Sequence, residues 1–83
     1  MDLADGIRAF LAVVETGSFT AAGQRLGVSN KQAGKQVAAL EARLGQNLLY
    51  RTTRAVSLTE AGETWLPQAR KVLSALEDAV SVF

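Results

Sequence analysis

Hydrophobic positions recur at helical spacing in three successive blocks of the chain. Leu3, Ile7, Phe10, Leu11 and Val14 include the 7, 10, 11, 14 pattern of a single helical face, which predicts a helix over 3–15. Asp2 stands where it can cap that helix, and Gly17 where it can end it. Ser18 is the next candidate cap. A short helix then runs to about Leu26, with Phe19, Ala22 and Leu26 facing inward, and Gly27 closes it. Ser29 opens a third helix in which Ala33, Val37, Leu40 and Leu44 repeat at steps of four, three and four, and Gly45 ends it. Ser29 and Gln32 form an S-x-x-Q capping box, in which two side chains satisfy two orphan backbone donors reciprocally. The connection Gly27-Val28-Ser29 is a tight turn of the kind that joins the two helices of a helix-turn-helix.

The pattern then changes period. In residues 48–59, Leu48, Tyr50, Val56 and Leu58 carry β-formers on both sides of a polar tip, Thr52-Thr53-Arg54, which predicts a two-stranded hairpin. Thr59 caps a long final helix expected to reach Phe83. Leu66, Ala69, Leu73, Leu76, Val80 and Phe83 fall at steps of 3, 4, 3, 4 and 3, an a/d seam. Trp65, Val72 and Ala79 widen that stripe. One face packed on its own domain does not need so broad an apolar surface, so the excess predicts a partner helix from a second chain. Trp65 suits either the domain core or the subunit junction. Pro67 removes one backbone donor near the helix start.

Composition narrows the function. Eighty-three residues make one small domain or a fragment of a larger protein. The chain has no cysteine and no histidine, which removes thiolate chemistry, the commonest general base and the commonest metal ligand. No carboxylates are paired in an obvious apolar cleft, so the expectation is that the chain is not an enzyme and takes no cofactor or metal. No apolar run is long enough to span a bilayer and no secretory signal is visible, which makes a cytoplasmic location the default. The net charge of +1 hides an asymmetry. Residues 25–54 hold six basic residues and one acid, net +5, against three basic and seven acidic elsewhere, net −4. A basic middle segment suits a polyanionic partner, and chance clustering on a solvated face is the other reading.

Three helices, a hairpin and a long apolar helix amount to a mainly α winged helix-turn-helix over 1–58, followed by a linker and dimerisation helix over 59–83. The blocks FLAVVETGSFTAAGQRLGVS, LEARLG, LLYRTTRAVSLTEAG and LPQARKVL resemble the N-terminal domain of LysR-type transcriptional regulators across nearly the whole chain. The resemblance implies a bacterial, dimeric, sequence-specific binder of double-stranded operator DNA. It implies the third helix, about 30–44, in the major groove, the wing, about 48–58, on flanking backbone or minor groove, and the last helix paired with its mate. It also implies a larger effector-binding domain beyond this chain, where a small-molecule effector would act.

The N-terminal part of the second helix of a helix-turn-helix meets base edges. A helical wheel puts Asn30, Lys31, Gly34, Lys35 and Ala38 outward. Asn30 and Gln32 offer the paired groups that suit adenine, and lysine donates to guanine or phosphate. Gln32 has a rival claim as the capping-box partner. Family members commonly carry other residues at 30–31, and serine then arginine in place of Gly34-Lys35, so the reading surface departs from the usual pattern. Gly34 either brings the backbone close to DNA or stands where its side chain would touch nothing. Ser18, Thr20 and Ser29 complete the helix-start candidates, where free amides attract anions. Arg51, Thr52, Thr53 and Arg54 are the wing candidates, although Arg51 also suits an ion pair with an acid of the last helix. Glu41 and Arg43 read as surface or ion-pair residues. Trp65, Leu66, Ala69, Leu73, Leu76, Val80 and Phe83 are the dimerisation candidates. The competing function is a helical protein-interaction module whose basic face meets an acidic protein.

Overall fold

The computed structural model describes residues 2–52 and 55–83. Chain order is α1 (Leu3–Thr16), α2 (Phe19–Leu26), α3 (Asn30–Leu44), β1 (Leu49–Arg51), β2 (Val56–Leu58) and α4 (Glu60–Val80). The two strands form an antiparallel pair in the register Leu49↔Leu58, Tyr50↔Ser57, Arg51↔Val56. The fold is a mainly α winged helix-turn-helix, as the pattern of hydrophobic positions predicts.

Each helix starts on a side chain that accepts from its first turn. Asp2 accepts from Ala4 N, Ser18 from Ala21 N, Ser29 from Gln32 N and Thr59 from Gly62 N. Gly17, Gly27 and Gly45 end the first three helices in the left-handed conformation. The turn between α2 and α3 is tight because Gly23 lets the chain fold back on itself. A Cβ there would stand 2.6 Å from the Val28 carbonyl oxygen, and Val28 N donates to Gly23 O at 2.9 Å.

Phe10, Val13, Val37 and Leu48 are the largest fully buried side chains, so α1, α3 and the lead into β1 meet at the centre. Phe19, Leu26 and Leu44, expected in the core, are partly buried against it. Ile7, Ala9, Leu11, Ala12, Ala22, Leu40, Leu49 and Ala69 complete the buried cluster. Ala69 ties α4 into the same core, so the first half of α4 is not packed apart from residues 1–58. Trp65 packs its ring on Phe10 at 5.8 Å between centroids and 51° between planes, a tilted aromatic pair.

The wing is held at its root from both sides. Thr59 Oγ1 donates to Asn47 O at 2.6 Å and Thr59 N to Leu48 O at 3.0 Å. Gly62 allows α4 to lie against that point, since a Cβ there would stand 2.1 Å from Leu48 O.

Candidate nucleic-acid interface

The first turns of α2 and α3 lie side by side. Asn30 Nδ2, in the first turn of α3, donates to Thr20 Oγ1 in the first turn of α2 at 3.4 Å. Both groups are exposed. Neither helix has an acid in its first turn, whereas α1 carries Asp5 there and α4 carries Glu60 and Glu63. The positive ends of the α2 and α3 dipoles are therefore left without a local countercharge, on a surface they share.

Two lysines lie in the first two turns of α3. Lys31 and Lys35 are exposed and, among the described residues, make no ion pair. Ala38 is also exposed, one turn beyond Gly34 and Lys35. A Cβ at Gly34 would meet nothing within 4 Å, so no contact inside the fold requires glycine there. Among the described residues, two other cations of the basic segment are held in ion pairs. Arg25 pairs with Glu15 of α1 at 3.2 Å, and Arg51 pairs with Glu41 at 2.9 Å.

Gln32 resolves its two claims in a particular way. Its backbone N donates to Ser29 Oγ at 3.0 Å, which is one half of the capping box. Among the described residues the return bond from the Gln32 side chain is not made, and that side chain stays in solvent. Ser29 is a cap, and the Gln32 amide is available to a partner.

Arg51 does not meet an acid of α4, as one reading of the sequence had it. Its partner is Glu41 of α3. Glu41 is not a surface residue either: it is 9% exposed. Glu41 Oε2 accepts from Leu48 N at 2.7 Å and from Leu49 N at 3.3 Å, while Oε1 accepts from Arg51 Nη2 at 2.9 Å. These charge-assisted bonds satisfy a carboxylate that would be costly to bury alone. The Arg51 guanidinium also lies 5.0 Å from the centroid of the Phe19 ring, in cation–π range. The sequence held a signal for this. Position 41 falls on the inward stripe 37, 40, 41, 44, so a charged residue there needs partners.

Thr52 closes the wing turn. Its N and its Oγ1 both donate to Ala55 O, at 3.1 and 3.0 Å, and Oγ1 accepts from Ala55 N at 3.0 Å. Thr53 and Arg54, the other two wing candidates, lie outside the described residues.

The expected dimerisation seam divides along α4. Ala69 is fully buried in the chain's own core and can present nothing to a second chain, because α4 leans on α1 at that point. Trp65, Leu66 and Leu73 are half-buried against the same core. Leu76 is half-buried, and Val80 is 76% exposed. Phe83 is fully exposed but lies past the helix, which ends at Val80 rather than running to Phe83. Ser81 caps that end through its N–H to Glu77 O. No helix among the described residues is long and apolar enough to cross a membrane.

Residues 4–63 match the model of the bacterial regulatory helix-turn-helix proteins of the lysR family. An uncharacterized HTH-type transcriptional regulator of Azotobacter vinelandii is 51% identical over 78 residues, which are 94% of this chain and 54% of that protein. The HTH-type transcriptional regulator PtxR of Pseudomonas aeruginosa is 47% identical over 88% of this chain and 23% of its own length. The chain thus spans about half or less of these relatives. Among solved structures, the CbnR DNA-binding domain in complex with DNA superposes with a TM-score of 0.87 at 38% identity, covering 98% of this chain and 92% of that one. The BenM DNA-binding domain on its benA site 1 DNA gives a TM-score of 0.86 at 38% identity, covering 99% of this chain and 91% of that one. With the family pattern matched over most of its length and the winged helix-turn-helix in place, the chain belongs to the LysR family of bacterial regulatory helix-turn-helix proteins.

Proposed function

We propose that this chain is the sequence-selective, double-stranded DNA-binding part of a bacterial LysR-type transcriptional regulator, and that it works as a dimer in the cytoplasm. Its work is binding rather than catalysis. The observation that carries the reading is the shared surface of the α2 and α3 starts: two helix starts with no acid in their first turns, exposed Asn30 and Gln32, a Gly34 whose added Cβ would meet nothing, and Lys31 and Lys35, which make no ion pair among the described residues. The solved DNA complexes of two relatives with this fold support it.

In this reading α3 lies in the major groove. Asn30, Lys31, Gln32 and Lys35 face base edges or adjacent phosphates, and Gly34 lets the backbone come close. Ser18, Thr20 and Ser29 lie where helix-start amides meet phosphate oxygens. The wing, with Thr52, Thr53 and Arg54, reaches flanking backbone or minor groove. Residues 1–58 form the DNA-binding unit. The segment 59–83 serves as linker and dimerisation helix, with Leu76 and Val80 at the centre of the subunit contact. Trp65, Leu66, Leu73 and Phe83 lie at its edges. A small-molecule effector would act through a further domain of the whole regulator.

Fluorescence anisotropy with a labelled duplex tests this across a salt series. Binding should weaken linearly in log[salt], with a slope of about −0.9 per phosphate neutralised. Replacing Lys31 or Lys35 with alanine should either shallow that slope by about one contact per subunit or relax sequence preference at one position of each half-site. Equal affinity for an acidic protein of matched charge would favour the protein-interaction module instead.

A further inference from the structure

Glu41 and Arg51 join three parts of the molecule at one node, with Glu41 buried and Arg51 partly exposed. Glu41 sits late in α3, Arg51 ends β1, and Phe19 opens α2. One carboxylate takes three donors, two of them backbone amides just before and at the start of β1. A backbone amide cannot change its position by choosing another rotamer, so those two bonds fix the strand itself relative to α3. Arg51 fixes the far end of the same strand, and Phe19 covers the guanidinium from the side of α2. Thr59 secures the opposite side of the root through Asn47 O and Leu48 O. The wing is therefore a short lever whose root is fastened to α3, with a turn closed by Thr52.

We infer that Glu41 and Arg51 are positioning residues for DNA selectivity: the pair sets the angle between α3 and the wing, and so couples recognition of the half-site core to recognition of its flanks. This rests on the DNA-binding reading above. It takes Arg51 out of the set of direct DNA contacts, since its charge is spent on Glu41. It gives Glu41, an acid in a basic segment, a part in binding that a simple charge account would deny it.

The two accounts differ in sign for one substitution. If charge alone matters, Glu41→Gln removes repulsion and frees Arg51, so DNA binding tightens and the salt slope steepens. If the pair positions the wing, Glu41→Gln weakens binding. Glutamine keeps the shape of glutamate but offers one acceptor oxygen where two are used, and its amide group would face a donor. Arg51→Gln should weaken binding in the same direction. The double variant should be little worse than either single one, because both break the same contact.

The experiment sequences the fraction of a randomised duplex pool bound by the unaltered chain, the two single variants and the double variant. Melting curves fix the temperature at which each is folded. The expected result is that flank enrichment drops by about tenfold in both single variants, with no further drop in the double. Enrichment of the half-site core should stay within about twofold of the unaltered chain. A lower melting temperature with unchanged flank enrichment would overturn the inference and leave a purely structural ion pair. Tighter binding by Glu41→Gln would overturn it as well. Should Glu41→Gln fail to fold, Arg51→Gln decides alone. An unchanged salt slope with lost flank enrichment supports positioning, and a slope shallower by about 0.9 per subunit marks Arg51 as a phosphate contact and overturns it. Absence of any enrichment with the unaltered chain would instead count against the DNA-binding reading itself.

Discussion

Gly34→Ala should make this protein more stable, although it changes a residue in the middle of the candidate reading surface. Gly34 is an interior position of α3, a 15-residue helix. Glycine there loses more backbone freedom on folding than alanine does, a difference of about 1 kcal/mol. A gain of that size is often cancelled by crowding, but here the added Cβ would meet nothing within 4 Å. The whole propensity term should therefore be realised. Near the midpoint, about 1 kcal/mol corresponds to a rise in Tm of roughly 4–8 °C for a domain of this size. The assay is thermal unfolding followed by far-ultraviolet circular dichroism at one fixed protein concentration, since self-association would shift the midpoint by mass action. An unchanged or lowered Tm would refute the reasoning, because it would mean that the α3 surface is covered within the free protein. A duplex titration of the same variant then separates the two explanations of the glycine. Weaker binding by a more stable protein means the backbone approaches DNA closely at Gly34. Unchanged affinity and preference mean the position is merely tolerant.

Gly62→Ala is the same atomic change with the opposite sign. The new Cβ would stand 2.1 Å from the Leu48 carbonyl, so overpacking of about 1–3 kcal/mol or more should outweigh the helix gain and lower Tm. Ser29→Ala should cost about 1 kcal/mol in a urea titration, because it removes the cap that Gln32 N uses without touching the core. Phe10→Ala, at a fully buried position beside Trp65, should cost about 3–5 kcal/mol, with Trp65 fluorescence showing the loss of its packing. Val80→Ser should weaken self-association in sedimentation experiments and leave the melting of dilute protein nearly unchanged, since Val80 is 76% exposed in the single chain.

Helix boundaries were legible because this chain punctuates them chemically. Asp2, Ser18, Ser29 and Thr59 cap where a sequence reader would place them, and three glycines end helices in the one conformation other residues avoid. The outward face of α3 was legible for a related reason: Ala33, Val37 and Leu40 fix the inward face, and the rest follows from helical geometry. Glu41 reads from the sequence as a surface or ion-pair residue, and the ion pair forms, with Arg51; its burial and its two backbone-amide donors do not show there, because amide partners leave no trace in a sequence. Its place on the inward stripe was the available clue. Ala69 was misassigned for a different reason. A regular 3-4 spacing shows that a stripe is apolar but not what covers it. In α4 the stripe is covered by α1 and its neighbours at Ala69; Leu73 and Leu76 are half-buried, and the large exposed positions are Val72 on its flank and Val80 near its end. The Gln32 half-box shows the limit of a motif. The serine cap forms because it needs only the local backbone, whereas the return bond requires a flexible side chain to give up solvent.

The measurement that bears most directly on the central claim is selection from a randomised duplex pool at moderate salt, with sequencing of the bound fraction. The account predicts a pair of symmetric half-sites, with preference at the core that shifts when Asn30, Lys31 or Lys35 is replaced. Binding without enrichment, or no binding even at low salt, would contradict the claim that the exposed start of α3 reads DNA sequence.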